Sequence, residues 1–282
     1  TKPKDITCML IDRSNDIWFG TGSYWDWSGN GIMKYDGSEW KQYTIADGLT
    51  QDVVLTLTQD RSGTMWAGVL DGVCRLEGER WVMVHQAKRR FIPRRVYEDS
   101  TGRIWLTDYT GFYELTDGEA VKVLDGQWIT FTEGTDGTLY VGGAGGRVGI
   151  SDGETFTTAN IAGGVRIQAI DKNPTLLSTE ADGTIWASVV RPVTALILPA
   201  GLYRYDGSAW IAESRSGQFY QTHVDGSGNL WMATGYSVMY HMHSQWTEVT
   251  NVPMDVTQWL NSRSGDLWLG TWKGLYRVVA LP

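Results

Sequence analysis

A short stretch near the start of the chain, GSYWDWSGN at 22–30, carries the residues best suited to binding chemistry. Tyr24, Trp25 and Trp27 surround the carboxylate of Asp26 in a segment that is otherwise built of Gly, Ser and Asn. Aromatic faces can stack on a sugar ring, and a carboxylate between them can accept hydrogen bonds from its hydroxyls. The stretch therefore predicts a saccharide contact. The same rings could instead fold back as a small hydrophobic cap, and both interpretations stay open.

A second candidate is the basic segment HQAKRRFIPRR at 85–95. It concentrates cations in a chain whose net charge is -8. Arginine forks bind carboxylate or sulfate groups through two hydrogen bonds at once. Arg89, Arg90 and Arg94 are therefore the residues of a predicted anion subsite, for example for an acidic saccharide. A solvated basic loop is the alternative interpretation.

Further candidate ligand contacts lie in loops that are expected to share a face with these two segments. Arg191 is the one charged residue in the apolar stretch VVRPVTALILPAG at 189–201, which could form a lid, a patch for a partner or a packed plug. The remaining candidates, all in short loops, are Asp108, Tyr109, Tyr236, Trp272 and Lys273.

Catalytic and metal-binding signals are weak. The sequence has no Gly-rich phosphate loop, no nucleophile elbow and no zinc-ligand spacing. His241 and His243 could share one side of a strand and bind a metal, but a third ligand is not evident. We therefore predict no catalytic residue, no metal and no cofactor.

Composition narrows the possible partners. The net charge of -8 argues against nucleic acid, which is bound by a basic face. No apolar run approaches the length that spans a membrane, so we expect no membrane insertion of this segment. Cys8 and Cys74 do not form a disulfide framework and are expected to be small buried hydrophobes.

An internal repeat indicates which strands position these residues. An aromatic residue recurs at an average spacing of about 42 residues, which is typical of propeller blades. Gly precedes this aromatic by three positions, with Asn15 in the first copy, and a small residue follows it by two. We expect the seven aromatic residues to be anchors packed between neighbouring blades: Trp18, Trp66, Trp105, Tyr140, Trp186, Trp231 and Trp268.

Each copy reads as four short strands. A Gly-containing turn precedes the strand with the anchor, and a second tight turn follows, as in YDGSEW at 35–40 and YDGSAW at 205–210. Helical periodicity is absent. The sequence therefore predicts an all-β chain that forms a single seven-bladed β-propeller of four-stranded antiparallel blades. The predicted units are 5–45, 52–85, 91–125, 127–160, 165–213, 218–250 and 255–282.

The last copy ends after its third strand, GLYRV at 274–278. Residues 1–4 could supply a short fourth strand, so that both chain ends share one blade, or the last blade could keep three strands. We favour the partial N-terminal strand.

Two units are longer than the others between their second and third strands, by 7 and 9 residues, and these insertions contain Trp25 and Arg191. In a propeller these loops share one face with the links between blades. Variable loops on a rigid scaffold are where binding sites usually form.

The motif D-x-x-G-x-[LI]-W-x-G-T, followed by G-L-Y-R-Y-D-G, resembles the two-component regulator propeller repeat. Its best copies lie at 60–78, 201–210 and 263–278, and ADGLTQDVV at 46–54 resembles that family's link between blades. The resemblance implies the periplasmic sensor region of hybrid two-component receptors, many of which detect polysaccharide fragments. It covers all seven units, but the matching residues are framework residues.

This resemblance favours a non-catalytic, sensor-type propeller that binds a small molecule or oligosaccharide in the periplasm or outside the cell. The receptors' membrane helix, sandwich domain and kinase have no counterpart in this sequence, so we expect an excised part or a free-standing member. A protein-interaction scaffold is one alternative. A propeller lyase or hydrolase is another, because the propeller lyase that opens streptogramin antibiotics uses histidine and a metal, which directs attention to His85 and His223.

Overall fold

The chain folds into β-strands and short turns. The computed structural model describes residues 5–23, 26–87, 91–161, 175–189, 201–214, 219–225, 227–234, 237–242, 245–249, 256–261, 266–271 and 274–278. These ranges contain seven antiparallel sheets, no α-helix and one 3-10 turn at Ile45–Asp47. The predicted all-β, seven-bladed β-propeller is thus confirmed. Contacts divide the chain into a first unit, residues 1–126, and a second unit, residues 127–282.

The first unit contains three four-stranded blades, each with its strands hydrogen-bonded in chain order. Blade one comprises β1 (Ile6–Ile11), β2 (Ile17–Thr21), β3 (Ile32–Tyr35) and β4 (Trp40–Tyr43). Blade two comprises β5 (Val54–Gln59), β6 (Met65–Val69), β7 (Gly72–Glu77) and β8 (Arg80–Gln86). Blade three comprises β9 (Arg95–Glu98), β10 (Ile104–Thr107), β11 (Gly111–Thr116) and β12 (Glu119–Asp125).

The second unit contains four blades. Blade four comprises β13 (Trp128–Glu133), β14 (Leu139–Gly143), β15 (Arg147–Ser151) and β16 (Phe156–Asn160). Blade five comprises β17 (Thr175–Thr179), β18 (Ile185–Val189), β19 (Gly201–Tyr205) and β20 (Trp210–Ser214). Blade six comprises β21 (Phe219–Val224), β22 (Leu230–Thr234), β23 (Val238–Met242) and β24 (Gln245–Val249). Blade seven comprises β25 (Val256–Asn261), β26 (Leu267–Thr271) and β27 (Gly274–Val278).

Blade seven has three strands in the part of the chain that the structure describes. Residues 1–4, which were expected to add a partial strand, lie outside the described residues.

The turn before each anchor needs a left-handed backbone, which is why Gly recurs there. Gly63 has φ of 92° in blade two, and Asn15 has φ of 73° at the equivalent position in blade one. Asn tolerates this region better than most residues with a side chain, which accounts for the one departure from Gly in the repeat.

The small residue two positions after the anchor lies where neighbouring blades come closest. A Cβ atom on Gly68 would lie 2.5 Å from Thr56 Cγ2 and 2.9 Å from Pro93 Cγ, which precedes blade three. A Cβ atom on Gly142 would overlap the carbonyl oxygen of Thr175 in blade five. A larger side chain at either position would separate two blades.

Six of the seven anchors are buried aromatic residues within their units. Trp18 is 2% exposed, stacks on Tyr43 at 5.7 Å between ring centroids and meets Trp81 of blade two edge-on at 6.5 Å. Trp231 likewise approaches Trp259 of blade seven at 6.4 Å. Trp268 is only half-buried. The contacts of Trp18 and Trp231 join one blade to the next through aromatic surface.

A carboxylate six residues before the anchor accepts a hydrogen bond from the anchor's indole Nε1. We call this contact the indole–carboxylate bond. It measures 2.7–2.8 Å in five blades and joins Asp12 to Trp18, Asp60 to Trp66, Asp99 to Trp105, Glu180 to Trp186 and Asp225 to Trp231.

Blade four lacks both partners of this bond. Tyr140 takes the place of the indole, and Gly134 takes the place of the carboxylate. Loss of one partner alone would leave a buried polar group unpaired, at a cost of about 1–3 kcal/mol. The joint replacement avoids that cost.

Each unit places its loops and its turns at opposite ends of the strands. The turns between first and second strands contact one another, as where Arg13 N donates to Gln59 Oε1 at 2.9 Å and Ala181 N donates to the Gly228 carbonyl at 3.3 Å. We call this end the turn face. The opposite end, with the loops between second and third strands and the links between blades, is the loop face.

Both cysteines lie in the first unit, and neither forms a disulfide. Cys74 is buried on β7, and Cys8 packs into the same cluster as Trp18 and Trp81. Burial raises the pKa of the Cys8 thiol to about 11 and also raises the pKa of Cys74.

Candidate functional site

The loop face of the first unit holds all the described members of the predicted ligand-binding set: Asp26, Trp27, Arg94, Asp108 and Tyr109. The other members lie outside the described residues, and their part in a site stays a prediction: Tyr24, Trp25, Arg89, Arg90, Arg191, Tyr236, Trp272 and Lys273.

The described part of the first insertion forms a tight turn between β2 and β3. Ser23 N donates to the Ser28 carbonyl at 2.8 Å, and Trp27, with φ of 58°, donates its N–H to the Ser23 carbonyl at 3.1 Å. Asp26 accepts hydrogen bonds from Ser28 N at 3.2 Å and from Ser28 Oγ at 2.8 Å. Hydrogen bonds from Ser23 and then Ser28 lower the pKa of Asp26, so this exposed carboxylate is ionised at neutral pH.

The carboxylate of Asp108 accepts hydrogen bonds from the backbone of its own loop. Its side chain is 3% exposed, and Oδ1 accepts hydrogen bonds from Thr110 N at 2.7 Å and Gly111 N at 2.8 Å. This arrangement fixes the turn between β10 and β11. This turn also fixes the backbone position of Tyr109, whose side chain is 36% exposed.

Arg94 lies against Tyr109. Its guanidinium carbon is 5.0 Å from the centroid of the tyrosine ring, within the range of a cation–π contact. The Arg94 N–H donates to the Thr107 carbonyl at 2.7 Å, which ties the basic segment to the end of β10. The guanidinium and the phenol ring thus lie in segments that directly adjoin two paired strands.

Arg95 adds a second guanidinium next to Arg94. It begins β9 opposite Thr107, and its side chain is solvent-exposed. Although part of the residue reaches solvent, desolvation by the surrounding protein and, to a lesser extent, the positive charge of Arg94 lower the pKa of Arg95. Among the described residues, none forms an ion pair with Arg95. Since arginine stays charged at neutral pH, this part of the loop face favours an anion.

The described histidines each take part in packing within a unit. His85 is 8% exposed, and its Nδ1 accepts a hydrogen bond from Ala120 N at 3.3 Å. His223 stacks on Trp259 at 5.8 Å and bonds Asn261 Oδ1 through Nε2 at 3.0 Å. His241 Nδ1 lies 2.8 Å from Glu180 Oε1, and His243 lies outside the described residues.

The described residues contain no group of three or more His, Cys, Asp or Glu side chains that could hold a metal ion. Within the same ranges, no helix has the length and apolar character needed to cross a membrane.

Sequence reasoning missed a second concave site, which lies on the turn face of the second unit. Tyr140 and Tyr205 line it together with Asp136, Asp182 and Asp206. Tyr140 entered the sequence analysis only as a packing anchor. Two signals were available: Tyr in a slot otherwise filled by Trp, and Gly134 where most copies have a carboxylate.

Comparison with known proteins supports the fold and the repeat. The family model described as two component regulator propeller matches residues 2–23. A search of curated protein sequences returns no significant match.

Solved structures with the same fold share few residues with this chain. The extracellular domain assigned to the hybrid two-component system BT3049 of B. thetaiotaomicron is 17% identical, with a TM-score of 0.70 over 98% of this chain and 39% of that one. A catalytically inactive virginiamycin B lyase from Staphylococcus aureus, solved with quinupristin, is 12% identical, with a TM-score of 0.70 over 97% of this chain and 94% of that one. PorZ of Porphyromonas gingivalis, a surface component of the type-IX secretion system, is 14% identical, with a TM-score of 0.66 over 96% of this chain and 46% of that one.

These identities carry the fold alone, and the chain spans well under half of the B. thetaiotaomicron domain. The resemblance to the two-component regulator propeller, predicted from the repeat motif, is confirmed by the family model at residues 2–23. The chain is therefore a seven-bladed propeller that carries the two-component regulator propeller repeat.

Proposed function

We propose that this chain is a non-catalytic, sensor-type propeller that binds an oligosaccharide at the loop face of its first unit, in the periplasm or outside the cell. The observation that carries the proposal is the contact between the Arg94 guanidinium and the exposed ring of Tyr109. An acidic sugar is the ligand class that this combination fits best.

The physical argument has two parts. The exposed ring of Tyr109 offers an apolar surface to the face of a sugar, and its position is fixed by the hydrogen bonds that Asp108 makes within the turn. The Arg94 fork offers paired N–H donors to a carboxylate or sulfate on that sugar, and Arg95 adds positive charge. Arg94 and Tyr109 directly adjoin the rigid strands β9 and β10, so little ordering is needed when the ligand binds.

The comparisons support the sensor part of the proposal. The extracellular domain from B. thetaiotaomicron has the same fold, and the repeat found at residues 2–23 gives its name to regulator propellers. The same comparison supports the proposed location outside the cytoplasm.

The test is calorimetric titration of the protein with uronate-containing oligosaccharides and with neutral oligosaccharides of the same length. Replacing Arg94 with Ala should weaken binding of the uronates about 10- to 100-fold, because a hydrogen bond to a charged group contributes about 1.5–3 kcal/mol. Tyr109→Ala should weaken both ligand sets about tenfold.

Two matched controls test whether the effect is local. Arg75→Ala removes a half-exposed guanidinium that pairs with Glu77, and Tyr276→Ala removes a tyrosine that is 37% exposed in blade seven. Both should leave the affinity unchanged. Equal losses from Arg94→Ala and Arg75→Ala would reduce the proposed site to general charge attraction.

The insertion of blade one has its own test. Replacing Trp25 and Trp27 with Ala should reduce sugar binding while the protein stays folded, and unfolding instead would make the two residues structural.

The two alternatives are also separated by this experiment. Failure to bind any soluble glycan, with retention of a protein ligand, would favour an interaction scaffold. Release of product from a substrate, with loss on chelation, would favour a lyase or hydrolase.

A further inference from the structure

A cleft of about 440 Å³ opens on the turn face of the second unit, where blade four meets blade five. Tyr140 and Tyr205 line its inner part, with their ring centroids 5.8 Å apart and their planes at 63°. Three exposed carboxylates line its rim, those of Asp136, Asp182 and Asp206. The loop-face site described above shares none of these residues.

The cleft lies where the repeat departs from its pattern. Gly134 occupies the position from which Asp12, Asp60, Asp99, Glu180 and Asp225 reach the anchor indole in other blades. A Cβ atom at Gly134 would lie 2.7 Å from Asp136 Oδ1 and 3.4 Å from Tyr140 Cε2. A side chain at residue 134 would therefore occupy the space that the cleft now offers.

The acidity of the rim is also specific to these two blades. Asp136 and Asp182 lie four residues before their anchors, where the other described blades have Ser14, Ser62, Thr101 and Ser227. Each uses Oδ1 to accept a backbone N–H of its own turn, from Thr138 and Thr184, both at 2.9 Å.

Asp206 reaches the rim from the second turn of blade five, where its Oδ1 accepts the N–H of Ala209 at 2.7 Å. Backbone hydrogen bonds, from Thr138 to Asp136 and from Ala209 to Asp206, lower the pKa of both carboxyl groups, so both are charged at neutral pH.

Tyr140 supplies an independent sign of a ligand. The residue is 7% exposed, yet its hydroxyl forms no hydrogen bond with any described residue, and the ring lines the cleft. Burial, followed by the charge of Asp136 and by Tyr205, raises the pKa of Tyr140 to about 12, so the hydroxyl stays neutral. The hydroxyl oxygen itself keeps some contact with solvent, so it can bond a group that enters the cleft.

We propose that this cleft binds a primary alkylammonium group, attracted by the negative charge of Asp136, Asp182 and Asp206 and hydrogen-bonded to the hydroxyl of Tyr140. An ammonium group has three N–H donors for oxygen acceptors and is attracted to the face of a tyrosine ring.

The charge of the lining also agrees with an organic cation. Among the described residues, the one cation on the lining is Arg204, and its Nε–H donates to Glu213 Oε1 at 2.8 Å, which offsets its repulsion of a ligand.

A primary alkylammonium group occurs both in a free aliphatic amine and in the side chain of a lysine. Calorimetric titration of the whole chain at low salt with 1,5-diaminopentane, with a short lysine-containing peptide and with neutral 1,5-pentanediol tests the proposal. Saturable binding of an amine, with a dissociation constant of about 1 mM or lower, and none of the diol is the expected result. A peptide that binds at least tenfold more tightly than the diamine assigns the lysine source, and the reverse ratio assigns a free amine.

Three variants localise the binding. Tyr140→Phe should weaken it about fivefold, the loss expected for one hydrogen bond, and Asp182→Asn about five- to tenfold. Asp152→Asn is the matched control, because Asp152 caps a comparable exposed turn of blade four through Thr155 N at 2.7 Å and does not line the cleft. Absence of saturable binding would overturn the proposal, and so would an equal loss in Asp152→Asn and Asp182→Asn.

Discussion

Blade three keeps the indole–carboxylate bond of the repeat, whereas blade four lacks this bond and has a cleft in its place. In blade three, Asp99 bonds the indole of Trp105 and is 1% exposed. In blade four the equivalent residues are Gly134 and Tyr140, which form no such bond, and a cleft lies beside them. Both residues are replaced together, so neither is left as an unpaired polar group. The comparison indicates that the fold tolerates the loss of one indole–carboxylate bond and the presence of a cleft beside that position.

Removal of Asp99 should have the largest effect. The carboxylate accepts hydrogen bonds from Thr101 N, Arg103 N and Trp105 Nε1 at 2.8–3.0 Å. Asp99→Ala removes the acceptor of these three hydrogen bonds and the ion pair with Arg103, at an expected cost of about 3–5 kcal/mol in the free energy of unfolding. Urea unfolding measures this loss.

The control for that variant is Asp125→Ala in the same blade, which removes an exposed carboxylate paired with Lys122 and should cost less than about 1 kcal/mol. Similar losses in the two variants would mean that the bond to the anchor has no special weight.

The stability of the protein should also depend on pH through the carboxylate of Asp99. Burial alone would raise the pKa of Asp99, but hydrogen bonds, led by those from Thr101 and Trp105, bring it down to about 2. Because the folded value lies below the unfolded value of about 3.9, the contribution is complete above pH 4 and is lost as the pH falls towards 2. The expected loss is about 2–3 kcal/mol.

Unfolding of the wild type and of Asp99→Asn, compared across this pH range, measures the contribution. The wild type should lose about 2 kcal/mol more than the variant. Parallel curves would show that Asp99 is not the group responsible.

Restoration of the bond in blade four should have an intermediate effect. Tyr140→Trp alone adds an indole N–H without its acceptor, and Gly134→Asp alone adds a carboxylate without its donor. The double variant should be more stable than the sum of the single changes by about 1–2 kcal/mol, in a double-mutant cycle of unfolding free energies. A coupling near zero would mean that blade four cannot form the bond.

The smallest effect is expected from Tyr140→Phe. Because no described residue bonds the hydroxyl, its removal should change the free energy of unfolding by no more than about 0.5 kcal/mol. Thermal and urea unfolding of this variant would reveal a hidden partner if the loss exceeded about 1 kcal/mol.

The fold could be predicted from the sequence because each blade imposes the same local requirements on its residues. Gly63 and Asn15 occupy the position before the anchor that the repeat marks in its turn, and both take positive φ. The small residue at Gly68 also has a clear cause, since strands of neighbouring blades approach there. Such requirements are local and recur in every blade, so a single chain displays them several times.

The sites were harder to predict because they depend on what lies across the fold. Asp108 was expected to face a ligand, but Thr110 and Gly111, which follow it, use its carboxylate within the turn. Arg94 and Tyr109 are distant in sequence and meet because β9 pairs with β10. Tyr140 fills the slot of an anchor, and only the structure shows that its hydroxyl lacks a bond.

The placement of the two thiols has a practical consequence for measuring how the chain comes apart. Both lie among packed residues of the first unit, and burial raises the pKa of each, so a thiol reagent should react slowly with the native protein. The second unit has no cysteine in its sequence. A pulse of maleimide followed by mass measurement would therefore time the opening of residues 1–126 alone, with no engineered label.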